Sequence, residues 1–216
     1  MSNLWKKGAA QKRESIRLLF IRYESFRQYI RLYPVNTALM AVCIAVFLVM
    51  VATGGTGAYR LIDFGALTNV EGLNQVWRFI TALFVHGGWS HLLFNMFALF
   101  VFAPPLERIF GHVRYAVFYI VSGMLGNLAA VLTADREFWI GVGASSAIYG
   151  VYGAYLYMTV FQRHLLDQAS RTTVYAILVM GLIHSFIVPN IGYWAHIGGL
   201  AAGFVLYRIM GGSIAR

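Results

Sequence analysis

The chain has 216 residues, 59% of them hydrophobic by a count that leaves out its 22 glycines, and only 12% charged. Soluble domains carry roughly 25% charged residues, so a water-exposed globular domain is excluded and one integral membrane domain is expected. The net charge is +9, and the single cysteine, Cys43, excludes an intramolecular disulfide.

Residues 1–33 form a basic segment carrying Lys6, Lys7, Lys12, Arg13, Arg17, Arg22, Arg27 and Arg31. With Leu18, Leu19, Phe20, Ile21 and Phe26 as its apolar side, it is expected to lie on an anionic cytoplasmic leaflet, with membrane lipids as partners. Nucleic acid is the alternative partner, but topology control accounts for the same charges, so no nucleic-acid partner is expected. The segment is too polar, and the first apolar run too poor in small cleavage-site residues, for a secretory signal.

A membrane-crossing helix needs about 20 apolar residues. The first candidate is Val35 to Val51, between Pro34 and the turn Thr53-Gly54-Gly55-Thr56-Gly57. A long amphipathic loop follows over 53–88, expected at the interface. Further spans are expected from Trp89 to Pro105, Tyr115 to Thr133, Gly143 to Phe161, Thr173 to Val188 and Tyr193 to Tyr207. The membrane domain thus covers 34–210, and 211–216 is a short cytoplasmic tail. The fold class is an all-α polytopic membrane protein, a bundle of six transmembrane helices.

Six spans put both termini on one side. Arg108, Arg114, Arg163, Arg171, Arg208 and Arg216 then join the basic N-terminal residues inside, leaving Arg60, Arg78 and Arg136 outside. That asymmetry fits the positive-inside rule, with N- and C-termini in the cytoplasm. Trp77, Trp89, Trp139 and Trp194 fall near the expected outer boundaries, as interfacial anchors do. The second, fourth and sixth spans all enter from outside. His91 and Asn95, Ser145, and His196 each lie near the start of one of them, at a common depth.

A buried hydroxyl is unfavourable unless hydrogen-bonded, and polar groups at membrane depth mark candidate functional sites. A serine is a weak nucleophile without a base, and histidine is the natural base near neutral pH. Ser145 and His196 can therefore form a two-residue pair if the fourth and sixth spans pack together. Gly143, Gly150 and Gly153 on one, and Gly198, Gly199 and Gly203 on the other, favour a close approach. No carboxylate lies in the last three spans to act as a third member. Tyr149, one turn after Ser145, is a candidate for holding the imidazole. The Asn95 amide, the Ser145 backbone N–H and His91 are candidate oxyanion donors. Ser146 competes with Ser145 for the nucleophile role. His86 is a candidate organiser of the turn entering the second span, and His184 is given no catalytic role. The histidine spacing matches no His-Glu-x-x-His zinc motif, so no metal and no cofactor is expected.

These residues, in this order, resemble the rhomboid intramembrane serine proteases over most of the chain after Pro34. Trp77-Arg78 is similar to the family's Trp-Arg pair, and His86 through Asn95 to its His-x-x-x-Asn helix with the preceding glycine turn. Gly143-Ala144-Ser145-Ser146 resembles its Gly-x-Ser-x motif, and Ala195-His196-Ile197-Gly198-Gly199 its Ala-His-x-x-Gly segment. The resemblance implies Ser145 as nucleophile, His196 as base, His91 and Asn95 at the oxyanion hole, Tyr149 stacked on His196, and Gly199 as a close-packing residue. Glu107, Arg108 and Gly111 resemble the family's structural Glu-Arg-x-x-Gly turn. Ser146 stands where many members have glycine. The implied activity is cleavage of single-pass transmembrane proteins near the outer end of their span. The implied location is the inner (cytoplasmic) membrane of the cell, with the site opening to the extracytoplasmic side. The alternative is an inactive relative that binds transmembrane helices. A channel or transporter would call for paired repeats, which the chain lacks. Oligomeric state is not legible in the sequence.

Overall fold

A computed structural model describes residues 20, 23–73, 75–134, 138–187 and 192–211. Most of the basic segment, Arg136, the Pro189-Asn190-Ile191 end of the fifth expected span and residues 212–216 lie outside them. In chain order the helices are α1 (Phe26–Leu32), α2 (Pro34–Ala52), α3 (Ala58–Asp63), α4 (Arg78–Thr81), α5 (Trp89–Phe110), α6 (His112–Leu132), α7 (Ser145–Phe161), α8 (Gln168–Ile187) and α9 (Tyr193–Gly211). The two-residue strands β1 (Leu67–Thr68) and β2 (Ile140–Gly141) pair antiparallel.

The expected membrane class holds at the level of helices. α2, α5, α6 and α8 are long and apolar enough to cross a bilayer. The other two long helices trade apolar bulk for glycine: Gly150 and Gly153 on α7, and Gly198, Gly199 and Gly203 on α9. The trade buys proximity. A Cβ on Gly199 would overlap the Ser146 carbonyl oxygen, one on Gly203 the Gly150 carbonyl oxygen, and one on Gly153 the Leu200 carbonyl oxygen. A Cβ on Gly126 of α6 would lie 2.6 Å from the Ala195 carbonyl oxygen. α6, α7 and α9 thus form a tightly packed trio, and α7 is the most enclosed helix.

Three boundaries differ from expectation by four or five residues. α5 runs through Pro104 and Pro105 to Phe110. A proline inside a helix forfeits one backbone hydrogen bond, but Leu106, Glu107 and Phe110 beyond it are all buried. α8 begins at Gln168 because Asp167 caps it, accepting from the Ser170 backbone N–H (2.8 Å) and the Ser170 hydroxyl (2.9 Å). α9 continues past Tyr207 to Gly211.

The 53–88 loop is internally built. Leu67 pairs opposite Gly141 and Thr68 opposite Ile140. Arg78 is buried and donates through one guanidinium nitrogen to the carbonyls of Ile62 (2.7 Å) and Ala66 (2.8 Å). Its guanidinium also lies 4.5 Å from the centre of the half-exposed Trp77 ring. Asn127 of α6 donates to the Phe79 carbonyl (2.9 Å), which ties the loop to the bundle.

The opposite end of α5 carries a buried polar network. The fully buried Glu107 carboxylate accepts from the backbone N–H of Val35 (3.0 Å) and Asn36 (2.9 Å) in the first turn of α2. His112 Nδ1 lies 2.7 Å from the same carboxylate. A carboxylate suits this place because the first N–H groups of a helix lack intrahelical partners and carry partial positive charge. Asn36 donates to the Leu99 carbonyl (3.0 Å) and the Tyr29 hydroxyl (2.9 Å), and accepts from Tyr115 (3.2 Å). α1, capped by Ser25 with Gln28 returning the bond, is thereby fastened to α2 and α5. Arg108 is exposed, and Gly111 turns the chain between α5 and α6 in the left-handed region (φ 77°).

Glu107→Ala strands the buried Asn36 N–H, worth about 1–3 kcal/mol, and the part-buried Val35 N–H beside it. Its thermal unfolding in detergent should fall clearly below that of Glu107→Gln, which keeps an acceptor oxygen. Gly203→Leu would drive a side chain into the Gly150 backbone, and size-exclusion chromatography should show loss of the folded monodisperse species.

Candidate functional site

Three helix beginnings meet at the end of the bundle away from Glu107. Ser145 is the first residue of α7, so its backbone N–H has no partner within the helix. His196 lies in the first turn of α9 and His91 in the first turn of α5, with Asn95 one turn further. Ser145 Oγ is 2.9 Å from His196 Nε2. Both rest on the α7–α9 contact: His196, Gly199 and Gly203 share one face of α9, at the i, i+3, i+7 spacing of a packed helix stripe.

The Tyr149 ring stacks on the His196 imidazole, with centroids 4.2 Å apart and planes 5° from parallel. Its hydroxyl is 3.1 Å from Ser185 Oγ on α8. Ser185 Oγ in turn lies 2.6 Å from His196 Nδ1. Ser185 was not among the residues singled out from sequence. The available signal was a hydroxyl in an apolar span, four residues after Gly181 and on the same face.

His91 packs against Gly143, two residues before Ser145. Its Nδ1 accepts from the Gly87 backbone N–H (3.4 Å), which leaves the ring proton on Nε2. A Cβ on Gly143 would fall 2.6 Å from His91 Nε2 and 3.6 Å from Ser145 Oγ. Gly143 also sits at φ 115°, where other residues are strained. Spacing alone groups Gly143 with Gly150 and Gly153 as a helix-packing glycine. The structure corrects this: Gly143 precedes α7, makes room for His91, and donates its N–H to the Ala82 carbonyl (2.8 Å).

Asn95 is buried and donates to the His91 carbonyl on its own helix (2.7 Å), with a second amide hydrogen left over. His86 is fully buried, with Nδ1 3.3 Å from the Phe84 carbonyl and its ring edge-on to His91 at 5.2 Å. Burial, followed by the nearby His91, lowers its imidazole to about 3, so it is neutral at working pH. Ser146 is buried against α6 and α9: a Cβ on Gly126 would lie 3.0 Å from its own Cβ. Gly199 serves the same helix contact. His184 is on the exposed side of α8. Trp77, Arg78, Glu107, Arg108 and Gly111 lie away from the Ser145–His196 pair.

The cluster therefore joins a hydroxyl to an imidazole nitrogen, stacks that imidazole on an aromatic ring, and sets a second imidazole against the glycine two residues before the serine. Such an arrangement can deprotonate an alcohol beside an unpaired helix N-terminus.

The family model of the rhomboid domain matches residues 73–213. The chain is 37% identical over 194 residues to YdcA, a rhomboid protein of Bacillus subtilis (strain 168); the match covers 87% of this chain and 94% of that one. It is 32% identical over 166 residues to the rhomboid protease GluP of the same organism, covering 76% of this chain and 32% of the longer relative. To the mitochondrial RHOMBOID-like protein 6 of Arabidopsis thaliana it is 37% identical over 143 residues, covering 63% of this chain and 44% of that one. This multi-pass helical membrane protein belongs to the rhomboid family.

Proposed function

We propose that the chain is an intramembrane serine endopeptidase acting on single-pass transmembrane proteins. The observation that carries the reading is the 2.9 Å contact between Ser145 Oγ and His196 Nε2 at the start of α7. His196 takes the hydroxyl proton as Ser145 attacks the peptide carbonyl, then gives it to the leaving amine. The developing oxyanion is met by the Ser145 N–H, by His91 Nε2–H and by the free amide hydrogen of Asn95. Water then releases the acyl group by the same route in reverse.

A peptide bond within a stable helix is already hydrogen-bonded, so favoured substrates carry glycine or proline near the cut. The polar layer lies where three helices enter from the side opposite the basic termini, and six helices cross the bilayer. The cut therefore falls near the outer end of the substrate span, at the inner membrane of the cell. The named protease activity of one relative supports the same reading.

Purified protein in detergent or lipid should cleave a model single-pass substrate without added metal and in the presence of a chelator. Ser145→Ala and His196→Ala should each reduce cleavage to background while retaining the wild-type melting temperature. Full activity in Ser145→Ala would overturn the assignment. Gly143→Ala, crowding His91 in a left-handed backbone position, should lower kcat by at least roughly tenfold, measured on the same substrate.

A further inference from the structure

Resting on the Ser145–His196 reading above, we infer that Ser185 of α8 is a positioning residue that holds His196 in its base-competent tautomer. For Nε2 to accept a proton from Ser145, the neutral imidazole must carry its hydrogen on Nδ1. That hydrogen needs a buried acceptor. The group facing Nδ1 is a hydroxyl, Ser185 Oγ at 2.6 Å, rather than a carboxylate.

The bonds around Ser185 select the direction. A serine hydroxyl has one hydrogen to give and two lone pairs to receive with. Its hydrogen goes to the Gly181 carbonyl, 2.7 Å away and one turn back on α8, because a carbonyl can only accept. Both lone pairs are then open to donors. His196 Nδ1–H takes one at 2.6 Å and the Tyr149 hydroxyl the other at 3.1 Å. The reverse arrangement, with Ser185 donating to Nδ1, would leave the Gly181 contact unused. It would also present an N–H to Ser145, which cannot remove a proton. Ser185 is 2% exposed, so water does not compete for these bonds. Gly181 is part of the same device: a Cβ there would lie 2.6 Å from the Tyr149 hydroxyl oxygen, so only glycine leaves that oxygen room beside Ser185. Tyr149 thus acts on the imidazole twice, through its ring face and through the serine. As His196 becomes positively charged, its Nδ1–H bond strengthens, so loss of the acceptor weakens the transition state more than substrate binding.

The test compares the wild type with Ser185→Ala, Ser185→Thr and Ser145→Ala in lipid, with ring-nitrogen NMR of His196 alongside substrate kinetics. The wild-type spectrum should show hydrogen on Nδ1 and a bare Nε2. Ser185→Ala should lose that preference and lower kcat roughly 10- to 100-fold, with KM changed by less than about twofold. Ser185→Thr should recover most of the rate, because a helical threonine hydroxyl reaches the same carbonyl one turn back. A wild-type His196 protonated on Nε2 overturns the inference without reference to any variant. So does a Ser185→Ala enzyme with wild-type kcat, or with only a raised KM, while Ser145→Ala is inactive. Retained activity in Ser145→Ala would instead remove the parent reading.

Discussion

The contact on which the rest depends is the backbone approach of α7 to α9. Side-chain volume has been removed at Gly153, Gly199 and Gly203, so that one helix's carbonyls sit where the other's Cβ atoms would be. In hydrocarbon no hydrophobic force drives two apolar helices together. Close van der Waals packing between small residues supplies the attraction instead. Ser145 and His196 stand at the top of this seam, one helical turn from its first glycine. Their hydrogen-bond distance is a property of the seam, not of the two residues. A side chain added anywhere along it would be felt at the pair.

A second constraint comes from the 53–88 loop. Arg78 gathers the carbonyls at the end of α3, and the β1–β2 pair joins that assembly to the strand just before Gly143. Gly143 is then held from one side by Ala82 and leaves space on the other for His91. The first residue of α7 is therefore braced by a segment more than fifty residues away in sequence. Loops of such length usually carry a role, and here part of that role is mechanical.

How much of this could be read beforehand depends on whether the signal was local. Long apolar runs and the one-sided placement of arginines are local, and the helical membrane class followed from them. The depth of His91, Asn95, Ser145 and His196 was a matter of counting residues from each helix start. Ser185 was different. A serine in a membrane helix commonly bonds its own preceding turn, and nothing nearby reveals that its oxygen also reaches α9. Asn36 and Tyr29 carry no local signal for the same reason, since Asn36 reaches Leu99 and Tyr115 and Tyr29 reaches the Phe100 carbonyl, all distant in the chain. At Pro104-Pro105 the local rule pointed the wrong way. A proline disfavours a helix, but the buried side chains of the following turn outweigh that loss.

α8 buries only Ser170, Val174, Leu178 and Ser185, a stripe one residue wide. Its hold on its neighbours is the weakest among the long helices, and the hydroxyl against His196 is at the far end of that stripe. Were α8 to swing outward, the imidazole would lose its anchor in the same movement.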